Sequence, residues 1–146
     1  MHIVKNLKNT SYYREAIHEL NYAFGNYYLF DGYVVAEIHE GVVYNWEDNG
    51  RKAAEDILSL YDNDGSNLIY ITNRINNYCV KPADWLHFFR NSYKLKGYGV
   101  ITYSKASFKN VILEKLFVRS KIVRFTSLED AIFWAKNLYH EKALAS

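Results

Sequence analysis

Hydrophobic and polar residues alternate from Ala16 to Phe24, with Leu20, Tyr22 and Phe24 on one side and Glu19 and Asn21 on the other. A period of two is the signature of a half-buried strand. Gly25 interrupts it and predicts a bulge or bend, after which Tyr27 to Phe30 resumes the strand. Asp31-Gly32, between Phe30 and Tyr33, predicts a two-residue type I′ hairpin. Tyr33 to His39 is the return strand, with Val34, Ala36 and Ile38 on one face.

The period then lengthens. Trp46, Ala53, Ile57, Leu60 and Tyr61 share one face of a helix running to about Leu60, and Glu47, Arg51, Glu55 and Ser59 share the other. Asn45 is placed to cap its N-terminus, with acids in the first turn. Leu68 to Ile71 is a short apolar run that fits a buried parallel strand. Residues 73–81 form an Asn-rich loop, and Pro82 opens a second helix. On that helix Trp85, Leu86, Phe88, Phe89 and Tyr93 lie opposite His87, Arg90, Asn91 and Lys94, and Gly97 predicts its end. Val100 to Tyr103 is the next strand. A third helix runs from Ser104 or Lys105 to about Val118, followed by a last strand, Lys121 to Phe125. Thr126 and Glu129 form a capping box, and the last helix buries Leu128, Ala131, Ile132, Ala135, Leu138 and Tyr139. The predicted fold is α/β: a mixed β-sheet of about five strands with four helices, in the order ββαβαβαβα. It forms a single domain over residues 1–146, with residues 1–13 as a loose lead-in.

Composition adds little to this outline. The 146 residues are 49% hydrophobic and 23% charged, an ordinary globular balance. A single cysteine, Cys79, excludes an intrachain disulfide and a cysteine zinc site. No apolar run reaches the length of a membrane span. Lys5 and Lys8 precede no long apolar segment of the kind a secretory signal carries, so a cytoplasmic location is expected. Aromatic residues are abundant at 17%, enough to fill a core and still line a pocket. Net charge is +2, yet residues 1–72 carry −6 and residues 73–146 carry +8. The overall balance is too mild to predict nucleic-acid binding.

Few residue groupings suggest catalysis. The only Gly-x-Gly, Gly97 to Gly99, precedes a strand instead of opening a helix, which is the wrong order for a phosphate cradle. His18 and His39 are placed to face each other across the first two strands, as a structural pair and not a metal site. Cys79, with Lys81 nearby and His87 beyond Pro82, is the one candidate nucleophile, but its Tyr78-Cys79-Val80 setting reads as a small buried hydrophobe. No catalytic residue, metal ligand or cofactor is expected.

The third helix departs from a simple core pattern. With Lys105 at 0° and about 100° per residue, Phe108, Ile112 and Leu116 fall at about 300°, 340° and 20°. Lys109, Lys115 and Arg119 share that arc. Val111, Leu113, Phe117 and Val118 form a second apolar group. Either the helix is buried on both sides with its basic stems snorkelling, or it exposes an apolar stripe rimmed by Lys105, Lys109, Lys115 and Arg119. An exposed stripe suits an apolar ligand, a partner or an anionic membrane. Trp85, Phe88, Phe89, Phe108, Ile112, Leu116 and Phe117 are the residues expected to line such a ligand site or membrane face.

The chain resembles the STAS domain family, in the branch of the sporulation anti-sigma factor antagonists. The resemblance rests on Phe30-Asp31-Gly32-Tyr33, Trp46-Glu47-Asp48, the strand Leu68 to Thr72, and the closing segment. That segment runs from Gly99 to Tyr103, through a helix, to Lys121-Phe125 and then Ser127-Leu128-Glu129-Asp130-Ala131 with Trp134. The match covers about residues 16–140 through order and spacing. It implies an open sheet with helices, no enzyme activity, and a role in protein association or ligand sensing. The family's phosphorylated serine loop corresponds here to Thr72-Asn73-Arg74-Ile75-Asn76-Asn77, which has no serine. Thr72 is the one hydroxyl there able to take phosphate. The implied function is a regulatory module that binds a protein partner through Asn73, Arg74, Asn76 and Asn77, or binds a second copy of itself. The alternative is a carrier or sensor of an apolar small molecule or lipid, associating with membranes through the third helix.

Overall fold

The computed structural model describes residues 4–145, with side chains described through Leu138. The expected burial of Tyr139 therefore lies outside the described residues. A six-stranded mixed sheet runs in the order β1 (His18–Tyr22), β2 (Gly25–Leu29), β3 (Tyr33–Ile38), β5 (Ile69–Asn73), β7 (Gly97–Ile101) and β8 (Lys121–Phe125). The first three strands are antiparallel and the last four are parallel. The short strands β4 (Val43–Tyr44) and β6 (Cys79–Val80) form a separate parallel pair. Helices α1 (Arg51–Tyr61), α2 (Trp85–Arg90), α3 (Lys105–Glu114) and α4 (Leu128–Ala145) complete the domain.

Two strands replace the single bulged strand expected over residues 16–30. Tyr22 pairs with Gly25, so the chain turns at Ala23-Phe24 and Gly25 begins β2. Alternation continues through a tight hairpin unchanged, which is why periodicity did not mark this turn. His18 on β1 and His39 after β3 are consequently separated by β2 and do not face each other. At the next turn Gly32 has φ 83° while Asp31 does not have a positive φ. A type I′ turn needs positive φ at both central residues, so the hairpin forms with a different turn. The Tyr61 hydroxyl stitches it to α1, donating toward the Phe30 and Tyr33 carbonyls at 2.5 and 3.0 Å.

Strand alternation divides the core into two layers. Tyr27, Val34, Ala36 and Ile38 face α1, where Ala53, Ile57 and Leu58 are buried. Leu60, expected on that face, is 47% exposed, and Leu58 takes its place. Tyr98 and Val100 continue the same layer beneath Val111 of α3. Tyr28, Phe30, Tyr33, Val35, Ile69, Ile71 and Ile101 point the other way, against Leu128, Ala131, Ile132 and Ala135 of α4. Asn45 caps as expected, accepting from the Asp48 N–H at 2.9 Å, although the first turn over Trp46–Gly50 is π-helical. Helix α4 is capped by Ser127, which accepts from the Asp130 N–H, and Glu129 instead pairs with Lys5 at 2.7 Å.

Gly97 does not end α2, which stops at Arg90. It lies with Gly99 on the α4 side of β7, and an added Cβ at either position would come within 3.0 Å of the Trp134 indole. The Gly-x-Gly pair is thus the floor on which Trp134 lies.

The lead-in is docked from Lys5 onward. Leu7 is fully buried, and its N–H donates to Glu37 Oε2 at 2.7 Å. Asn73 Nδ2 donates to the same oxygen at 2.8 Å and to the Lys5 carbonyl at 2.9 Å. Burial pushes the Glu37 carboxyl above its ordinary value, against the pull of these donors. An acid that binds its proton more tightly when folded loses stability as pH rises from the unfolded pKa through the folded one. Glu37→Gln retains an oxygen acceptor for both donors. Urea midpoints of the variant are expected to fall less than wild-type over that rise in pH; parallel pH profiles would contradict this.

Candidate functional site

A cavity of about 120 Å³ lies between the sheet, α1 and the segment from Arg74 to Phe88. Strand alternation places its floor: Tyr27 on β2, Val34 on β3, Tyr70 on β5 and Tyr98 on β7 all point to the α1–α3 side. Tyr70 and Tyr98 stack at 5.6 Å with their planes 9° apart. Trp46, Ala53, Ala54 and Ile57 form one wall, and Tyr78, Val80, Trp85 and Phe88 form another. The walls are joined where the Trp46 N–H donates to Asp84 Oδ2 at 2.9 Å. Hydroxyls pair at the edges, Tyr27 with Tyr44 at 2.7 Å and Thr72 with Tyr78 at 3.1 Å. Burial raises the pKa of Tyr27, Tyr70 and Tyr98 well above that of a free tyrosine, so these side chains stay neutral.

Beside the cavity lies a buried ion pair. Arg74 continues the alternation of β5 one residue past its end, on the side of Tyr70 and Thr72, and its Nη2 donates to Glu114 Oε2 at 2.6 Å and to the Tyr98 hydroxyl at 2.9 Å. Glu114, 0% exposed, also accepts from Tyr98 at 2.7 Å, Trp85 Nε1 at 3.0 Å and Asn110 Nδ2 at 2.9 Å. Four donors converge on one carboxylate, which a buried charge requires. Burial opposes the Arg74 charge, but the oxygens of Tyr98, Tyr78 and Glu114 outweigh it and the guanidinium stays protonated. Arg74 Nε has no hydrogen-bond partner among the described residues.

The residues expected to meet a partner are placed unequally. Asn73 and Arg74 are buried and committed to internal bonds, so they present no contact surface. Asn76 is half-buried and donates to the Ile38 carbonyl; Asn77 is exposed, with its N–H on Glu40. Thr72 is buried, away from any phosphorylating enzyme.

The expected apolar face is split. Trp85 and Phe88 line the cavity, while Phe89 is buried against both rings and Phe117 is half-buried. Phe108, Ile112 and Leu116 do not reach it and stand 40%, 51% and 74% exposed. Lys105, Lys109, Lys115 and Arg119 are exposed around them. Of the two accounts of α3, the exposed stripe with basic neighbours is the one the fold adopts. Cys79 is exposed and not a buried hydrophobe, and His87 stacks on Trp46. Among the described residues no group of three or more His, Cys, Asp or Glu is placed to hold a metal ion, and no helix is long and apolar enough to cross a membrane.

Fold and site together define an α/β domain with an aromatic cavity set beside a buried ion pair. No protein-family model, curated protein or solved structure matches the chain.

Proposed function

We propose that the chain is a non-enzymatic binding module whose cavity takes a small, uncharged, apolar or aromatic molecule. The cavity carries this reading. At about 120 Å³ it is near the size of an engineered cavity of about 150 Å³ that binds benzene. A ligand of roughly six to eight non-hydrogen atoms fits such a space. The charged lining residues, Arg74 and Lys81 against Glu114 and Asp84, balance and the tyrosines are neutral, so the site offers no net charge for an ionic ligand. The paired hydroxyls at its edge suit one polar substituent.

The STAS resemblance would place the chain among regulatory modules that act by protein association. The loop that this resemblance assigns to partners supplies Arg74 to the cavity lining, and the residues just after it supply Tyr78 and Val80. A ligand there would touch the loop from beneath, which favours a sensor over a simple carrier.

Native mass spectrometry of the purified protein, compared with its denatured mass, tests the proposal. A small adduct lost on denaturation is expected. Ala54 lines the cavity from α1, so Ala54→Leu should fill part of it and abolish the adduct while the protein still melts cooperatively. Absence of any adduct, together with no binding of benzene or indole by Trp fluorescence, would remove the reading.

A further inference from the structure

We propose that α3 and the turn after it form a docking face for anionic lipid bilayers, separate from the cavity. Phe108, Ile112, Leu113 and Leu116 are exposed on this one element, each by 40% or more. Around them Lys105, Lys109, Lys115 and Arg119 are exposed, and Arg124 on the adjoining strand β8 extends the charge. The Arg124 guanidinium lies 4.5 Å over the Phe108 ring. Between Ser104 and Leu128 the only acid is Glu114, which is fully buried and consumed by Arg74. The face is therefore apolar and uniformly cationic.

Charge selects the occupant. A second copy docking through the same face would set like charges against each other around a two-fold axis. An anionic bilayer answers both features at once: acyl chains receive the apolar side chains, and lysine stems reach outward to the headgroups. The short helix explains why binding needs both contributions, since four apolar side chains give only a shallow anchor and juxtaposed basic residues add the remainder.

Vesicle flotation tests this, using equal parts phosphatidylglycerol and phosphatidylcholine against phosphatidylcholine alone. The full chain is expected to float with the anionic vesicles only, and to be released at high salt. Ile112→Ser with Leu116→Ser, and separately Lys105→Glu with Lys109→Glu, should each lower the bound fraction about tenfold. All four positions are exposed, so both variants should melt as wild-type does. Failure to float, or flotation undiminished in either variant, overturns the proposal. So does capture by soluble polyglutamate that is as strong as vesicle binding and indifferent to Leu116, which would mark an acidic protein partner. A concentration-dependent dimer broken by the serine pair would assign the face to a second copy instead.

Discussion

Glu114→Ala is expected to cost about 3–5 kcal/mol, the usual price of leaving a buried charge unpaired. The substitution strands the Arg74 guanidinium, the Tyr98 hydroxyl, Trp85 Nε1 and Asn110 Nδ2, all of which now donate to that carboxylate. Arg74 Nε has no partner to begin with, so the guanidinium has little else to turn to. Chemical denaturation should show a lower midpoint with an unchanged slope if the fold survives. A second comparison separates the pair's own worth from the cost of breaking it. Replacing Arg74 by Met together with Glu114 by Leu removes both charges at similar volume, and should be less damaging than Glu114→Ala alone. If the double substitution is worse than the single one, the ion pair contributes net stability and the desolvation argument is wrong for this site.

Gly65→Ala is expected to be nearly as damaging, about 2–5 kcal/mol, by a mechanism confined to the backbone. Gly65 has φ +99°, a conformation that costs an L side chain about 1–2 kcal/mol. Its missing Cβ would also lie 1.8 Å from the Lys94 carbonyl oxygen. That oxygen is main chain and cannot rotate away. The Lys94 N–H meanwhile donates to the Asp64 carbonyl at 2.8 Å, locking the two segments together. Relief requires parting the link from α1 to β5 from the link from α2 to β7. An equilibrium urea titration of the variant should reveal the loss. A change smaller than about 1 kcal/mol would mean that this contact relaxes freely.

Much of the fold is legible in sequence because its elements carry local signals. The cap at Asn45, the apolar strand at Leu68–Ile71, Pro82 at a helix start and the burial of Leu128 to Ala135 each depend on residues within a turn or a strand of one another. The β1–β2 hairpin was hidden for the opposite reason. Ala23-Phe24 carries no turn residue, and Gly25 within an alternating run has the signature of a bulge.

The candidate site is legible only in part. Glu114 is the lone acid of α3 and falls at about 180° from Lys105, among Val111 and Val118 on the core side. Arg74 extends the β5 alternation on the side of Tyr70 and Thr72. Each is a charged residue in an apolar register, and that was the available signal. The four polar residues after Thr72 instead read as a surface loop, because Asn and Arg are usually solvated.

By itself the sequence determined the α/β class, the run of helix-linked strands and the apolar, basic character of α3, all of which follow from spacing along a single element. The tertiary structure alone decided that Val111 is covered while Leu113, from the same apolar group, joins Phe108, Ile112 and Leu116 in solvent. It also decided that Arg74 meets Glu114 across 40 residues, and that side chains from four strands, three of them tyrosines, leave a space unfilled. Pairing and cavities depend on how separate elements are placed in three dimensions, and local periodicity carries no information about that placement.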